Sequence, residues 1–193
     1  MSRQRLQSGI SLIETLVGMA IVIVALAMGL PSFSTYMQNT QIRNAAESIQ
    51  NGLSMARAEA ARRNTVVQFV LGSGSSWTVG CATVDGTNCP ASIQARSSSE
   101  GSSNATVTTS QVVTSTGTAA ATATFTTTLS FNGFGKASTL PPGNSALFDI
   151  SNSSGGGTCT TMRCLRVVVT AGGQIRMCDP KLTLTNAGNP QAC

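Results

Sequence analysis

The sequence predicts an α+β protein in which a long N-terminal helix packs on an antiparallel β-sheet domain. A continuous apolar run at residues 10–30 is followed by apolar residues at helical spacing, and together they predict one long helix. Beyond residue 64 the chain has short β-branched segments separated by glycine-containing turns, which is typical of antiparallel strands. We therefore expect a polar leader, an apolar helix, the amphipathic second half of that helix and a β-rich globular domain, at residues 1–9, 10–31, 32–64 and 65–193.

The apolar run is long enough to cross a membrane. Its 21 residues would extend about 30 Å as a helix, which matches the hydrocarbon thickness of a bilayer. A secretory signal peptide has a shorter apolar core of roughly 7 to 15 residues before its cleavage site, so a membrane anchor is the better interpretation. Arg3 and Arg5 precede the run, and basic flanks stay on the cytoplasmic side. We therefore expect a single-pass anchor with the globular domain on the opposite side.

Glu14 lies inside this apolar run and needs a partner. An ionised carboxylate costs about 2.5 to 3.5 kcal/mol at the centre of a bilayer, and less near the interface. If the chain were cut between Gly9 and Ile10, the new α-amino group would lie about one helical turn from Glu14. The amine of a neighbouring subunit could then neutralise the carboxylate, which would align the two subunits.

The segment Gly9-Ile10-Ser11-Leu12-Ile13-Glu14 resembles the type III signal of type IV prepilins and pseudopilins. In that family a membrane-embedded aspartyl peptidase, the prepilin peptidase, cuts after the glycine and N-methylates the new first residue. The resemblance implies cleavage between Gly9 and Ile10, N-methylation of Ile10 and a role for Glu14 in assembly. This chain departs from the family at Ile10, where most members have phenylalanine.

Pro31 marks the middle of the predicted helix. Proline removes a backbone donor and distorts a helix that continues past it. Helical spacing nevertheless resumes, and the apolar stripe that predicts the second half of the helix consists of Ile42, Ala45, Ala46, Ile49, Leu53, Ala56 and Ala60. Related pilins keep a proline at the corresponding position, so the resemblance implies that Pro31 lets the helix loosen when subunits pack.

The end of the helix and the last hairpin extend the resemblance. Arg62, Arg63 and Asn64 suit a helix C-terminus, and Glu59 and Arg63 have the spacing of an ion pair on one helix face. The run ARAEAARRNTV resembles the helix end of the GspH/FimT group of minor pilins and pseudopilins. LSFNGFGKA and CLRVVVTAGGQIRMCDP resemble the C-terminal signature of the same group. The resemblance implies the type IV pilin fold.

Alternation and turn residues predict the strands of the domain. We expect strands at residues 66–71, 77–81, 129–137, 146–150, 164–170 and 174–178, with a turn at 171–173. The Ser/Thr-rich region 97–128 has two interpretations: exposed strands at 105–109, 111–114 and 121–125, or a low-complexity loop.

Six cysteines follow the apolar run, which predicts three disulfides in an oxidising compartment. They are Cys81, Cys89, Cys159, Cys164, Cys178 and Cys193. Their spacing lacks the close pairs of a zinc site. Spacing leaves the pairing open, although loop closure favours Cys81 with Cys89, and a hairpin could join Cys164 to Cys178 and leave Cys159 with Cys193.

The composition gives little basis for catalysis. Histidine is absent and charged residues make up 10% of the chain, so the histidine-based hydrolytic triads are excluded and the scattered acids suggest no carboxylate pair. We expect neither an enzyme nor a bound metal or cofactor.

Within the family the leading hypothesis is a minor pilin that initiates or caps type IV pilus assembly. The neighbouring interpretation is a minor pseudopilin of a type II secretion system. The resemblance implies major and minor pilins or pseudopilins, the prepilin peptidase and the inner-membrane assembly platform as partners. It also implies a bacterial inner-membrane location, with the domain periplasmic and the subunit later incorporated into a pilus or pseudopilus.

A different hypothesis is DNA binding during natural transformation, which some minor pilins of this group perform. Basic residues concentrate near the C-terminus, where they could track phosphates or simply form a solvated basic surface; the candidates are Arg163, Arg166, Gln174, Arg176 and Lys181. DNA-receptor members carry Gly-Arg-x-Arg in the last hairpin. Here the corresponding residues are Gly173-Gln174-Ile175-Arg176, so one arginine is replaced.

Overall fold

The computed structural model describes residues 10–86, 88–113, 127–152, 154, 159–160, 162–182, 189 and 191–193, apart from the side chains of 30–32. The chain divides into two compact units, Met1–Met37 and Gln38–Cys193. The expected leader at 1–9 and the expected strand at 121–125 lie outside the described residues.

One long helix, α1, runs over Leu12–Arg63 in the described part of the chain and is continuous through Pro31. It ends at Asn64, whose φ of 49° is the left-handed conformation that asparagine tolerates at a helix end. Thr65 N–H donates to the carbonyl of Ala60 at 3.2 Å and closes the last turn. The predicted long helix and its C-terminus are therefore confirmed.

The apolar stripe of the helix forms one side of the domain core. All seven predicted stripe residues, from Ile42 to Ala60, are fully buried. Four of them are alanines, whose small side chains let the sheets approach the helix axis closely. The periodicity of the sequence thus predicts the buried face correctly.

Among the described residues of the second unit, eight strands form two antiparallel four-stranded sheets. The first sheet has the order β3-β2-β1-β5 and consists of β1 (Val67–Leu71), β2 (Trp77–Cys81), β3 (Gln94–Arg96) and β5 (Thr128–Phe131). The second has the order β4-β6-β7-β8 and consists of β4 (Ala105–Val113), β6 (Asn144–Asn152), β7 (Leu165–Thr170) and β8 (Ile175–Cys178).

An aromatic cluster joins both sheets to the helix. The Phe69 ring lies 5.8 Å from that of Trp77 and 5.9 Å from that of Phe148, the latter edge-on. Trp77 Nε1 donates to Ser48 Oγ on the helix at 2.8 Å, which satisfies the one polar atom of a buried ring. Gly52 faces the same rings, because a Cβ there would stand 2.8 Å from Phe69 and 2.9 Å from Trp77.

The strand predictions fail in two places. β3 was not predicted, because Gln94–Arg96 contains no β-branched or aromatic residue. The predicted strand 129–137 stops at Phe131, because the Asn132 side chain accepts the N–H groups of Phe134 and Lys136, both at 3.1 Å, and folds the chain into a turn.

The Ser/Thr-rich region is a strand in its first part. The pieces expected at 105–109 and 111–114 belong, as far as residue 113, to one nine-residue strand, β4, which is paired along its whole length with β6; residue 114 lies outside the described residues. Ala105 and Gln111 are buried while several threonines between them are half-exposed. The strand interpretation is therefore confirmed for this part of the region.

The disulfide between Cys81 and Cys89 is confirmed, with Cα atoms 5.6 Å apart. The other two expected pairings are wrong, because Cys159 bonds to Cys164 and Cys178 to Cys193, with Cα separations of 5.5 and 5.1 Å. The hairpin register explains this: Cys178 faces Arg166, and Cys164 precedes β7. A diagonal separation of about 7 to 8 Å is too long for a bridge.

The end of the helix carries a charge cluster around Glu59. Its Oε2 accepts from Arg62 Nη2 and Arg63 Nε, each at 2.7 Å, so the predicted pair of Glu59 with Arg63 is confirmed. Hydrogen bonds from Arg62 and then Arg63 lower the pKa of Glu59 below its usual value. The cations also lie in the last turn of the helix, where they oppose the negative end of its dipole.

The substitution Gly52→Ala tests the close approach of helix and sheet. Alanine favours a helix by about 1 kcal/mol over glycine, but its methyl group would enter the space of two buried rings. We expect the free energy of unfolding of residues 38–193 to fall by about 1 to 3 kcal/mol, measured by urea unfolding with Trp77 fluorescence.

Gly86→Ala is the matched control, because a Cβ at Gly86 has no atom within 4 Å. It should change the free energy of unfolding by less than about 0.5 kcal/mol. An unchanged or increased stability of Gly52→Ala would contradict the packing described here.

Candidate functional site

The first candidate site is the N-terminal segment. Gly9 lies outside the described residues, while Ile10 is 73% exposed. The helix begins with Ser11 as its cap, since Glu14 N–H donates to the Ser11 hydroxyl at 3.3 Å and to its carbonyl at 3.1 Å. Glu14 occupies the first turn, where a carboxylate interacts favourably with the helix dipole.

Sequence reasoning missed the capping role of Ser11. The signal was present, because a serine followed three residues later by glutamate, just before an apolar run, is the signature of a capping box. Glu14 therefore also interacts with the N-terminal end of the helix itself. Its position at the start of the helix also puts the carboxylate one turn from the amine that cleavage after Gly9 would create.

The apolar part of the helix has the properties of a membrane span. An 18-residue window has a mean hydropathy of 2.3 and buries none of its residues. Leu12, Met19 and Met28 are among its most exposed side chains, each by more than two thirds. A helix that is apolar all round and unburied is typical of a segment that lies in lipid or against other helices.

The second candidate site consists of the C-terminal basic residues. Their charged groups form hydrogen bonds within the domain. Arg166 donates to both carboxylate oxygens of Asp149 on the neighbouring strand, at 2.6 and 3.1 Å. Arg163 donates to Asp179 at 2.9 Å and to Gln191 at 3.1 Å. The two arginines therefore pair with carboxylates rather than present free charge.

The other two cations bind backbone carbonyls. Arg176 donates to the carbonyls of Ala192 and Cys193 at 3.4 and 3.2 Å, and its strand neighbour Cys178 is bonded to Cys193. Lys181 Nζ donates to the carbonyls of Thr160 and Met162, both at 3.4 Å. The Arg176 contacts hold the C-terminal residues against the last hairpin.

Arg163 and Lys181 lie together around Asp179, which also accepts Lys181 N–H at 2.9 Å. Arg166 and Arg176 lie on β7 and β8, where Arg166 faces Cys178 and Arg176 faces Val168. Gln174 precedes β8, and its N–H donates to Thr170 Oγ1 at 3.2 Å. The predicted set thus lies along the last hairpin and the residues that flank it, and ion pairs compensate the charges of Arg163 and Arg166.

The described residues offer no group of three or more histidine, cysteine or acidic side chains that could hold a metal ion. All six cysteines are in disulfides.

Comparison with known proteins supports the resemblance stated above. The family described as "Type II transport protein GspH" matches residues 45–173. Two crystal forms of the type IV minor pilin FimU from Pseudomonas aeruginosa (strain PAO1) are similar to this chain. One is 17% identical with a TM-score of 0.49, covering 75% of this chain and 92% of FimU. The other is 15% identical with a TM-score of 0.46, covering 72% and 92%.

A comparison with curated proteins found no match. The family match spans more than half of the chain, from the buried stripe of the helix to the turn between β7 and β8. The chain therefore belongs to the GspH family of pilin-like proteins.

Proposed function

We propose that this chain is a minor pilin, made as a precursor that the prepilin peptidase cuts between Gly9 and Ile10. The single observation that carries the proposal is an unburied apolar helix that Ser11 caps and that has a carboxylate, Glu14, in its first turn. Residues 10–31 hold the subunit in the inner membrane, and the subunit then initiates or caps a type IV pilus.

Cleavage gives Glu14 a partner. The new α-amino group of Ile10 is cationic, and the methylated amine keeps that charge. In lipid the carboxylate is stabilised by an amine from its own or a neighbouring chain. A pair between chains fixes their relative height, because each subunit supplies one amine and one carboxylate.

Orientation follows from the charges on either side of the span. Arg3 and Arg5 keep the leader cytoplasmic, where the peptidase and the assembly platform act on the chain. The domain is then periplasmic, and the three disulfides are in keeping with that oxidising compartment. The partners are major and minor pilins in the same filament.

A second candidate is a minor pseudopilin of a type II secretion system, which the description of the matching family favours. The subunit would have the same physical properties in either machine. The phenotype of a gene deletion therefore distinguishes the two functions. Loss of pilus-driven motility with normal secretion supports the type IV pilus, whereas loss of protein secretion with normal motility supports the pseudopilus.

DNA binding is the alternative that the side-chain contacts favour least. The four cationic candidates donate to carboxylates or backbone carbonyls of the domain. Because Arg163 and Arg166 are each paired with a carboxylate, their net attraction for a phosphate is reduced.

Processing is tested with Gly9→Val. A branched side chain at the cleavage position should block the peptidase, so the chain should remain in the membrane at precursor size on an immunoblot. Ser8→Ala is the control and should be processed normally. A Gly9→Val chain of mature size would contradict the proposed cleavage.

Assembly is tested with Glu14→Ala. Cleavage should proceed, but the amount of the chain in sheared filaments should fall at least about tenfold, because the Ile10 amine loses its partner in lipid. Thr15→Ala, which changes the neighbouring residue, should enter filaments normally. Normal incorporation of Glu14→Ala would contradict the assembly role.

DNA binding is tested by gel shift with residues 38–193 over a range of salt concentrations. We expect no shift even at about 50 mM salt, where phosphate contacts are strongest. The variant Gln174→Arg has the two-arginine spacing of the DNA-receptor motif. It is therefore the variant in which DNA binding is most readily gained. A salt-sensitive shift with the unchanged sequence would contradict our expectation.

A further inference from the structure

The turn at residues 132–136, which we call the Phe134 turn, is held rigidly by hydrogen bonds. Asn132 Oδ1 accepts the N–H groups of Phe134 and Lys136. Gly135 N–H donates to the Asn132 carbonyl at 2.8 Å, and Asn132 N–H donates to the Lys136 carbonyl at 3.0 Å. The turn therefore needs no further ordering to present its tip.

Neighbouring elements clamp the turn in place. A Cβ at Gly133 would stand 2.5 Å from the Asn64 side chain, at the end of the helix. A Cβ at Gly135 would stand 3.1 Å from Arg57 Nε, and one at Gly173 would overlap the carbonyl oxygen of Gly135. The helix end and the turn between β7 and β8 thus hold the Phe134 turn, and glycines are required at these contacts.

Phe134 makes few contacts with the rest of the domain. Its ring is 89% exposed, more than any other large apolar side chain among the described residues, including those of the apolar helix. An exposed aromatic ring on a preorganised turn loses little conformational entropy on binding, and aromatic residues are enriched at the centres of interfaces. The ring contributes little buried area to the domain and is accessible to another molecule.

The surroundings of the ring are basic. Lys136 belongs to the same turn, and Arg57 Nε lies 3.1 Å from the Cβ position of Gly135; both side chains are exposed and make no ion pair within the described part of the chain. Arg62 and Arg63 also lie at this end of the helix, where Glu59 compensates only one of their two charges. A partner that meets this surface is therefore favoured if it carries acidic side chains.

The shape of the surface favours a protein over a nucleic acid. Single strands of DNA bind in basic grooves where successive bases stack on several aromatic rings. Here one ring protrudes, and a protruding ring suits an apolar recess in a partner protein. Resting on the function proposed above, we infer that Phe134 anchors this domain in an acid-rimmed apolar recess of a neighbouring pilin-like subunit.

The test is photo-crosslinking with the full-length chain in cells that assemble the filament. A photoreactive phenylalanine analogue replaces Phe134, and the control replaces Val84, which is 58% exposed on another loop. We expect position 134 to crosslink to another pilin-like subunit and position 84 to give little product. Adding Lys136→Glu should lower the yield at 134 at least about threefold, since it opposes the acidic rim.

Phe134→Ala provides an independent measurement. Because the ring is exposed, the variant should keep its three disulfides and its mature size, while its amount in sheared filaments falls at least about threefold. Val84→Ala is the control and should be incorporated normally.

Crosslinks to nucleic acid, crosslinks to proteins unlike pilins, or equal yields at positions 134 and 84 would overturn the inference. If the unmodified chain is processed and enters filaments in the same cells, such a result removes the Phe134 inference alone. If the unmodified chain is neither processed nor incorporated, the proposed function fails, and the inference fails with it.

Discussion

Burial of one helix face under two sheets is the constraint on which this domain depends. Seven stripe residues between positions 42 and 60 have no exposed surface, and fully burying a leucine or isoleucine contributes roughly 1.5 to 3 kcal/mol. Alanines and Gly52 bring the backbone close enough for Phe69 and Trp77 to cover the helix. The Trp77 bond to Ser48 then fixes the rotation of the helix under the first sheet, because only one helix face presents that hydroxyl.

The two halves of the helix differ in how their apolar residues are exposed. The first half is apolar all round and unburied, which is stable in lipid or against other helices. The second half is apolar on one face only, and the domain covers that face. Ser11 and Glu14 begin the helix and Asn64 ends it, so both termini are satisfied locally. The two halves are therefore distinguished by their hydrophobic pattern rather than by helix propensity: one is apolar all round, and the other is apolar only on the face that the domain covers.

Sequence reasoning identified what depends on local pattern. The stripe, the helix end and most strands follow from periodicity and turn residues. The pairing of Cys164 and Cys178 depended on the register between β7 and β8, which contacts distant in sequence determine. For the same reason the sequence did not reveal that Asp149 neutralises Arg166 or that Asp179 neutralises Arg163. The sequence thus shows how many basic residues are clustered, but only the fold shows which of them are paired with carboxylates.

The intact mass of the chain recovered from sheared filaments tests the account most directly, because it reports processing, export and incorporation together. Measured before and after reduction, it should correspond to a chain that begins at Ile10, carries one methyl group and contains three disulfides. A chain that begins at Met1 or at another residue, or that is absent from filaments while other subunits are present, would contradict a processed pilin-like subunit.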